Sequence, residues 1–127
     1  MKLLLDTSVL IDVLRLRNKR SEWLARLVRE GHTLSTSTLN IAEVYAGMRA
    51  AEETRTEAFL SGLEVYELSA TSARQAGKLK NTWAGKGRTP ALADMIVAAV
   101  AIERGCALLT DNRKDFPMPE VRLYPLP

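Results

Sequence analysis

The sequence predicts an α/β fold with a short, largely parallel central sheet and helices on both faces. Short apolar segments of strand length alternate along the chain with longer segments of helical periodicity. A glycine twice stands between a helical segment and a strand, at Gly31 and Gly105, and glycine is the usual residue just past the end of a helix. This alternation favours parallel strands joined by helical crossovers over the alternative, an α+β arrangement.

The first half of the chain is expected to contain two strands and four helical segments. We predict a strand at 3–5, a helix at 9–16, a helix at 21–30, a strand at 32–36, a helix beginning at Ser37 or Thr38, and a helix at 52–60. Thr7 and Ser8 precede the first helix, where hydroxyl side chains are good N-caps. The first apolar strand therefore ends in an acid, Asp6, and leads directly into a helix.

The second half is expected to contain two further strands and two longer helices. We predict a strand at 63–68, a helix at 69–83, a helix at 92–102 with a start signal at Thr89-Pro90, and a strand at 107–109. Residues 85–88 form a basic, glycine-containing loop, and residues 110–112 form a turn. Prolines near the carboxyl end restrict residues 121–124 to a short edge strand at most.

The composition is that of one globular domain, which we expect to span residues 1–127. Hydrophobic residues make up 46% of the chain and charged residues 26%, which excludes a disordered chain. The single cysteine, Cys106, excludes an internal disulfide and a cysteine-built zinc site. No signal peptide or membrane-spanning stretch is recognisable, so we expect a cytoplasmic protein. The formal net charge of +3 is compatible with a polyanionic partner without requiring one.

Three aspartates occupy positions that favour a function. Asp6 and Asp111 follow the apolar strands at 3–5 and 107–109, and the carboxyl ends of parallel strands share one edge of a sheet. If those strands are neighbours, both acids face one crevice, although turns are rich in aspartate for other reasons. Asp94 is the most informative, because apolar residues surround it and no basic residue lies three or four positions away. A carboxylate in that setting needs a charged or metal partner.

Glu43 and Asp115 are weaker candidates, because exposed helical glutamates and charged turns are common in proteins without a site there. Several acids that share one pocket raise one another's pKa and cannot all stay ionised unaided. A divalent cation resolves this repulsion, and Mg²⁺ and Mn²⁺ prefer oxygen ligands. The acids therefore favour metal-assisted phosphodiester hydrolysis with water as the nucleophile and with one metal ion or two.

The residue types that are missing exclude several other mechanisms. The only histidine, His32, lies at the amino end of its predicted strand and away from the acids, which excludes a ribonuclease built on paired histidines. No phosphate-binding glycine-rich loop follows a strand. No serine or cysteine has a histidine partner placed nearby. Nucleotide-cofactor folds and covalent hydrolases are therefore not expected.

Four sequence blocks, taken in order, resemble those of PIN-domain nucleases. They are Leu4-Leu5-Asp6-Thr7-Ser8-Val9-Leu10-Ile11, then Ser35-Thr36 with Ala42-Glu43-Val44 and Gly47, then Ala93-Asp94-Met95-Ile96-Val97-Ala98, and then Leu109-Thr110-Asp111-Asn112-Arg113-Lys114-Asp115-Phe116. Length and block order are similar to those of the VapC toxins of bacterial and archaeal toxin–antitoxin modules. The resemblance implies an endoribonuclease that depends on Mg²⁺ or Mn²⁺, forms a homodimer and is held inactive by a VapB-type antitoxin.

The resemblance also implies roles for individual residues. Asp6, Glu43 and Asp94 match the three core acids, and Asp6 and Asp94 match the residues most directly tied to the metal. The family's fourth acid falls either at Asp111 or at Asp115, and we favour Asp111 as a catalytic residue and metal ligand because it directly follows the strand. Hydroxyl residues match the family positions that orient carboxylates or water, namely Thr7, Ser8 and Thr110.

Basic residues that flank the acids are candidates for binding RNA phosphates, with a solvated charged surface as the alternative explanation. They are Arg15, Arg17, Lys19 and Arg20, then Lys86 and Arg88, and then Arg113 and Lys114. Two other functions remain open. One is a PIN protein that acts on DNA or together with a DNA-binding partner. The other is a receiver-like signalling module that binds Mg²⁺, which would need a phospho-acceptor aspartate after the central strand.

Overall fold

The computed structural model describes residues 1–127 and confirms the α/β fold class. The strands are β1 (Lys2–Leu5), β2 (Thr33–Ser37), β3 (Glu64–Tyr66) and β4 (Ala107–Leu109). The helices are α1 (Thr7–Leu14), α2 (Arg20–Arg29), α3 (Thr38–Ala46), α4 (Glu53–Leu60), α5 (Ala70–Ala84) and α6 (Leu92–Arg104). The strands form one parallel sheet in the order β3-β2-β1-β4. Two short 3-10 turns lie at Ala50–Glu52 and Arg113–Asp115.

The sheet separates two hydrophobic cores, because successive side chains of a strand point to opposite faces. Leu4 and Leu108 pack with apolar residues of α5 and α6 on one face. Leu3, Leu5 and Leu109 pack with apolar residues of α1, α2, α3 and α4 on the other face. Because Leu5 pairs with Leu109 across β1 and β4, the residues that follow these two central strands lie side by side.

Serine caps begin two helices close to their predicted starts. The Ser37 Oγ accepts a hydrogen bond from the Asn40 backbone N–H at 3.2 Å at the start of α3. The Ser69 Oγ accepts one from the Ser72 backbone N–H at 3.0 Å at the start of α5. Each serine satisfies a backbone donor that has no partner within its helix.

The first helix begins earlier than predicted. It starts at Thr7 rather than at residue 9, and Asp6, not a hydroxyl residue, occupies the N-cap position. The Asp6 side chain makes no capping hydrogen bond there. Its carboxylate instead accepts hydrogen bonds from other parts of the chain. These hydrogen bonds lie at the centre of the candidate site.

The carboxyl-terminal region differs from the predicted edge strand. Residues 121–124 form only a single parallel bridge, between Leu123 and Leu108. The Leu108 N–H donates to the Arg122 carbonyl at 2.8 Å, and the Tyr124 N–H donates to the Leu108 carbonyl at 2.9 Å. The surrounding prolines cannot donate to a ladder, so the pairing does not extend. No helix in the chain combines the length and the apolar character needed to cross a membrane.

Candidate active site

Asp6 is a buried carboxylate held by two buried donors at the carboxyl edge of the sheet. Its side chain follows β1, and the residue is only 5% exposed. The Asn40 Nδ2 donates to Asp6 Oδ1 at 3.1 Å, and the Thr110 Oγ1 donates to Asp6 Oδ2 at 2.8 Å. Asn40 and Thr110 are both inaccessible to solvent. Each carboxylate oxygen therefore has a fixed partner, which sets the orientation of the Asp6 side chain.

The cap of α3 fixes the direction in which Asn40 donates. Its Oδ1 accepts from the Ser37 Oγ at 2.5 Å, which leaves Nδ2 to donate to Asp6 and to Thr7 Oγ1, the latter at 3.0 Å. Thr7 Oγ1 in turn donates to Glu43 Oε1 at 2.6 Å. A continuous chain of hydrogen bonds thus joins Glu43 to Asp6. Sequence reasoning missed Asn40, although a serine followed three residues later by a side chain that can bond back to it is a helix-start pattern.

Opposing effects act on the pKa of Asp6. Burial raises the pKa, because a charged carboxylate loses its water, and the Glu43 carboxylate adds to that rise. Hydrogen bonds from Thr110, from the Thr7 backbone and from Asn40 lower it. Burial is the largest of these effects, so the pKa of Asp6 stays above its ordinary value. A cation beside Asp6 would favour its ionised form.

Asp94 lies in the first turn of α6 and feels the other acids. Burial is the main cause that raises the pKa of Asp94 to about 6, and the negative charges of Asp6, Asp115 and Glu43 contribute to the rise in that order. Three carboxyl groups from other parts of the chain therefore act on Asp94. The sequence could suggest this only through the apolar surroundings of Asp94.

The structure places the two candidates for the fourth acid in different surroundings. Asp115 lines a cavity of about 350 Å³ together with Asp94. Asp111 instead accepts a hydrogen bond from the Arg20 Nη2 at 2.6 Å and lines a separate groove along α2. Asp111 is not among the groups that raise the pKa of Asp94, whereas Asp115 is. The geometry thus favours Asp115, the alternative that the sequence analysis ranked second.

Strand register explains the position of Asp111. β1 and β4 are neighbours, as the sequence analysis required for Asp6 and Asp111 to meet. With Leu5 opposite Leu109, however, the residue beside Asp6 is Thr110. Asp111, one position further along, lies in the bend after β4, where its side chain meets Arg20 instead of Asp6. The Asp111 backbone N–H instead donates to the Ser8 Oγ at 3.2 Å.

The position of Arg20 does not fit the expectation that this residue contacts RNA. It is only 5% exposed, and its guanidinium lies 3.4 Å from Asp12 Oδ2 as well as 2.6 Å from Asp111 Oδ1. Asn18 Nδ2 donates to the same Asp12 oxygen at 2.9 Å. Arg20 therefore ties the start of α2 to α1 and to the turn after β4, and it is not available to a nucleic acid.

The other candidate RNA-binding residues are exposed but lie in three places. Arg15 and Arg17 line a groove with Arg49 and Arg55, at the far end of α1 from Asp6. Lys19 lines the groove along α2. The remaining four stand on the two segments that border Asp94 and Asp115, and they are Lys86, Arg88, Arg113 and Lys114. Of these, Arg88 lines the cavity itself.

The donor atoms of these acids are of the kind that binds a hard divalent cation. The donors are carboxylate and hydroxyl oxygens, which Mg²⁺ and Mn²⁺ prefer. No three acidic, histidine or cysteine side chains are arranged to hold an ion by themselves. That arrangement fits an ion that keeps several water ligands and takes one or two carboxylates from the protein, as Mg²⁺ does. Asp6, Asp94 and Asp115 are the candidate ligands among these acids.

The coupled acids are expected to make the metal-free protein less stable as the pH rises. Because the pKa of Asp94 in the folded protein is about 6 and its ordinary value is 3.8, the folded state binds a proton more tightly than the unfolded state does. The stability associated with that proton is present at low pH and is lost as the pH rises through 6. Asp94→Asn removes the titration, so its stabilising effect should be roughly 1–2 kcal/mol larger at pH 7.5 than at pH 4.5.

Chemical denaturation in a chelator at both pH values measures this difference directly. Glu120→Gln, a change at an exposed carboxyl outside the cavity, serves as the matched control and should show no such pH dependence. An Asp94→Asn protein whose stability relative to wild type is the same at pH 4.5 and pH 7.5 would contradict the raised pKa of Asp94.

Comparison with known proteins gives a consistent result at the levels of family, sequence and structure. The profile of the family described as PIN domain matches residues 3–119. A Mycobacterium tuberculosis protein named ribonuclease VapC19 is 33% identical over 115 residues, which cover 91% of this chain and 92% of that protein. A second M. tuberculosis protein, ribonuclease VapC10, is 31% identical and is covered over 86% of its length.

Solved structures share the whole fold. A toxin–antitoxin complex from Klebsiella pneumoniae contains a chain that is 27% identical, with a TM-score of 0.78 and coverage of 97% of this chain and 98% of that one. VapBC2 from Rickettsia felis, bound to a DNA fragment from its promoter, contains a chain with a TM-score of 0.87 and coverage of 98% of both chains. The R. felis chain is 24% identical, so this likeness shows the shared fold.

Proposed function

The chain belongs to the PIN domain family and, within it, to the VapC ribonucleases. We propose that it is a metal-dependent endoribonuclease that hydrolyses RNA phosphodiester bonds as the toxin of a VapBC-type toxin–antitoxin pair. One observation carries the metal-dependent part of this proposal. A buried carboxylate, Asp6, is oriented by Asn40 and Thr110, and its charge helps to raise the pKa of Asp94. Carboxylates placed in this way repel one another when no cation is present, and a bound cation relieves that repulsion.

The residues proposed to hold a divalent ion are Asp6, Asp94 and Asp115. When bound, Mg²⁺ or Mn²⁺ makes a water more acidic and neutralises charge that develops on the phosphodiester. Asp115 replaces Asp111 in this proposal because it shares the cavity with Asp94, whereas Asp111 pairs with Arg20.

The protein's own groups orient the acids and accept a proton. Asn40 and Thr110 keep Asp6 in one orientation, and Thr7 does the same for Glu43 through its hydrogen bond to Oε1. Glu43 is exposed, and its Oε2 is free to take the proton that water loses on attack. A water oxygen forms a bond to phosphorus while the bond from phosphorus to a ribose oxygen breaks, and the ribose oxygen leaves with a proton from solvent.

Cations beside the cavity are proposed to offset the repulsion between acids and RNA. Lys86, Arg88, Arg113 and Lys114 are exposed on the two segments around Asp94. Lysine and arginine in such positions bind phosphates regardless of base sequence. Arg15, Arg17 and Lys19 line separate grooves at the far end of α1 and along α2, and we propose that they contact more distant phosphates of the RNA.

The proposed partners follow from the family. We propose that the chain acts as one domain and forms a homodimer in the cytoplasm, as the resemblance to the VapC toxins implies. We also propose that it binds a VapB-type antitoxin, because the K. pneumoniae chain with the same fold was solved in a toxin–antitoxin complex. The R. felis pair was solved on promoter DNA, so binding of DNA is expected to reside in the antitoxin of such a pair rather than in this pocket.

Removal of divalent cations is expected to stop RNA cleavage by the purified protein. Total RNA incubated with the protein and Mg²⁺ should be cut, an excess of EDTA should reduce cutting to background, and added Mn²⁺ should restore it. Single-stranded DNA of matched sequence is the control substrate and should remain intact under the same conditions. Unchanged RNA cleavage in EDTA would contradict the metal-dependent mechanism, and equal cleavage of DNA would support a deoxyribonuclease instead.

A further inference from the structure

The cavity that contains Asp94 and Asp115 has an aromatic wall for which the proposed catalytic steps have no use. Trp83 lines this cavity of about 350 Å³ together with Arg88 and the two acids, and it is the only aromatic residue that does so. The volume is at the lower end of the range of sites that bind small organic ligands. An indole ring, a guanidinium group and two carboxyl groups therefore share one opening.

The loop after α5 wraps around Trp83. The Lys86 and Arg88 backbone N–H groups both donate to the Trp83 carbonyl at 3.0 Å. Gly87 between them has a φ of +80°, a conformation that favours glycine. The Lys86 Nζ lies 4.4 Å from the centre of the indole ring, and the Arg88 Cζ lies 5.8 Å from it. The ring is thus half-buried against the core yet carries two exposed cations.

Arg88 also fixes this loop relative to the acids. Its Nη2 donates to the Lys114 carbonyl at 3.2 Å, and Lys114 directly precedes Asp115. On the other side of the loop, Lys80 Nζ donates to the Pro90 carbonyl at 2.6 Å. These contacts hold the indole and the acidic part of the cavity in a defined relation, so a group bound on the ring would share the cavity with Asp94 and Asp115.

We propose that this cavity is a nucleobase subsite, in which the indole of Trp83 stacks on the base of a nucleotide that adjoins the scissile phosphate. The proposal rests on the ribonuclease function proposed above. Every base presents a π face, so a stacking ring beside a basic loop binds single-stranded RNA with little sequence preference. The Lys86 side chain is exposed and unbranched, so it can leave the ring face and move toward the nucleotide's phosphate, while Arg88 keeps its hydrogen bond to the Lys114 carbonyl.

Binding of a single nucleotide tests the subsite without any requirement for cleavage. The chain has two tryptophans, so Trp23→Phe leaves Trp83 as the only source of indole fluorescence. Titration with adenosine 5′-monophosphate in Mg²⁺ should quench this fluorescence. Ribose 5-phosphate, which carries the phosphate and sugar without the base, should bind at least about 5-fold more weakly, the lower end of the effect of a base–aromatic stack. Equal binding of the two compounds would overturn the proposal.

Substitution of Trp83 separates stacking from a merely structural role. For an RNA that the protein cleaves, Trp83→Leu should raise KM by about 5- to 100-fold with little change in kcat, whereas Trp83→Tyr should restore most of the loss. A KM unchanged in Trp83→Leu, or a loss that Trp83→Tyr does not restore, would overturn the proposal. If the wild-type protein cleaves no RNA, the proposed function fails, and the fluorescence titration still decides whether Trp83 binds a base.

Discussion

Replacing Asp6 by asparagine is expected to lower the rate of RNA cleavage by roughly 10²- to 10⁴-fold, the range for a lost charge or proton-transfer group at a reacting centre. The substitution keeps the size of the side chain and removes its negative charge. The central carboxylate among the proposed metal ligands is then missing, and the remaining acids hold a divalent cation less tightly. Single-turnover cleavage of one labelled RNA by both proteins measures the effect.

The folded structure should survive this change, which makes the loss of activity interpretable. The new amide oxygen can still accept from Asn40 Nδ2, and the Thr110 hydroxyl can rotate to accept from the new amide nitrogen. Circular dichroism and thermal unfolding should therefore remain close to those of the wild type. Cleavage at more than a tenth of the wild-type rate by a folded Asp6→Asn protein would contradict the assigned role of Asp6.

Substitution of each of the two candidates for the fourth acid is expected to distinguish them. Asp115→Asn is expected to lower cleavage by about 10- to 100-fold with little loss of stability, because Asp115 lies with Asp94 in the cavity. Asp111→Asn is expected to leave cleavage within a few-fold of wild type but to destabilise the protein by about 1–2 kcal/mol. The buried Arg20 then keeps only Asp12 as a charged partner.

The pair of variants forms its own control, since the same chemical change is made at two nearby turn positions. The measurements are the cleavage rate and the free energy of unfolding in urea of each variant. The reverse pattern, with activity lost in Asp111→Asn and retained in Asp115→Asn, would restore Asp111 as the fourth acid and would place the catalytic centre on the α2 side of β4.

Much of the fold and the main acids could be predicted from the sequence. The alternation of strands and helices predicted the parallel sheet. It could be recognised because hydrophobic residues recur with a different period in helices and in strands, and both periods are clear in this chain. Asp6 could be identified because it ends an apolar strand, and Asp94 because it lies among apolar residues. Both signals are local. Glu43 carried no such signal, and only the resemblance to PIN-domain nucleases drew attention to it.

Contacts between distant parts of the chain could not be predicted in the same way. The choice between Asp111 and Asp115 depends on the pairing of Leu5 with Leu109, which sets Thr110 beside Asp6, and on the course of the turn that follows β4. The burial of Arg20 depends on its pairing with Asp111, 91 positions away. Asn40 looked like an ordinary helix residue, because its role depends on Asp6 and Thr7, which lie 34 and 33 positions before it.

The most direct test of the account is the cleavage of total RNA by the purified Asp94→Asn protein in Mg²⁺, measured beside the wild type and beside the wild type in EDTA. Burial, and after it the charges of three other acids, raises the pKa of Asp94, so its amide variant should fold at least as stably as the wild type. Only the wild-type protein in Mg²⁺ is expected to cut RNA. Undiminished cleavage by folded Asp94→Asn protein would contradict a catalytic role for these acids.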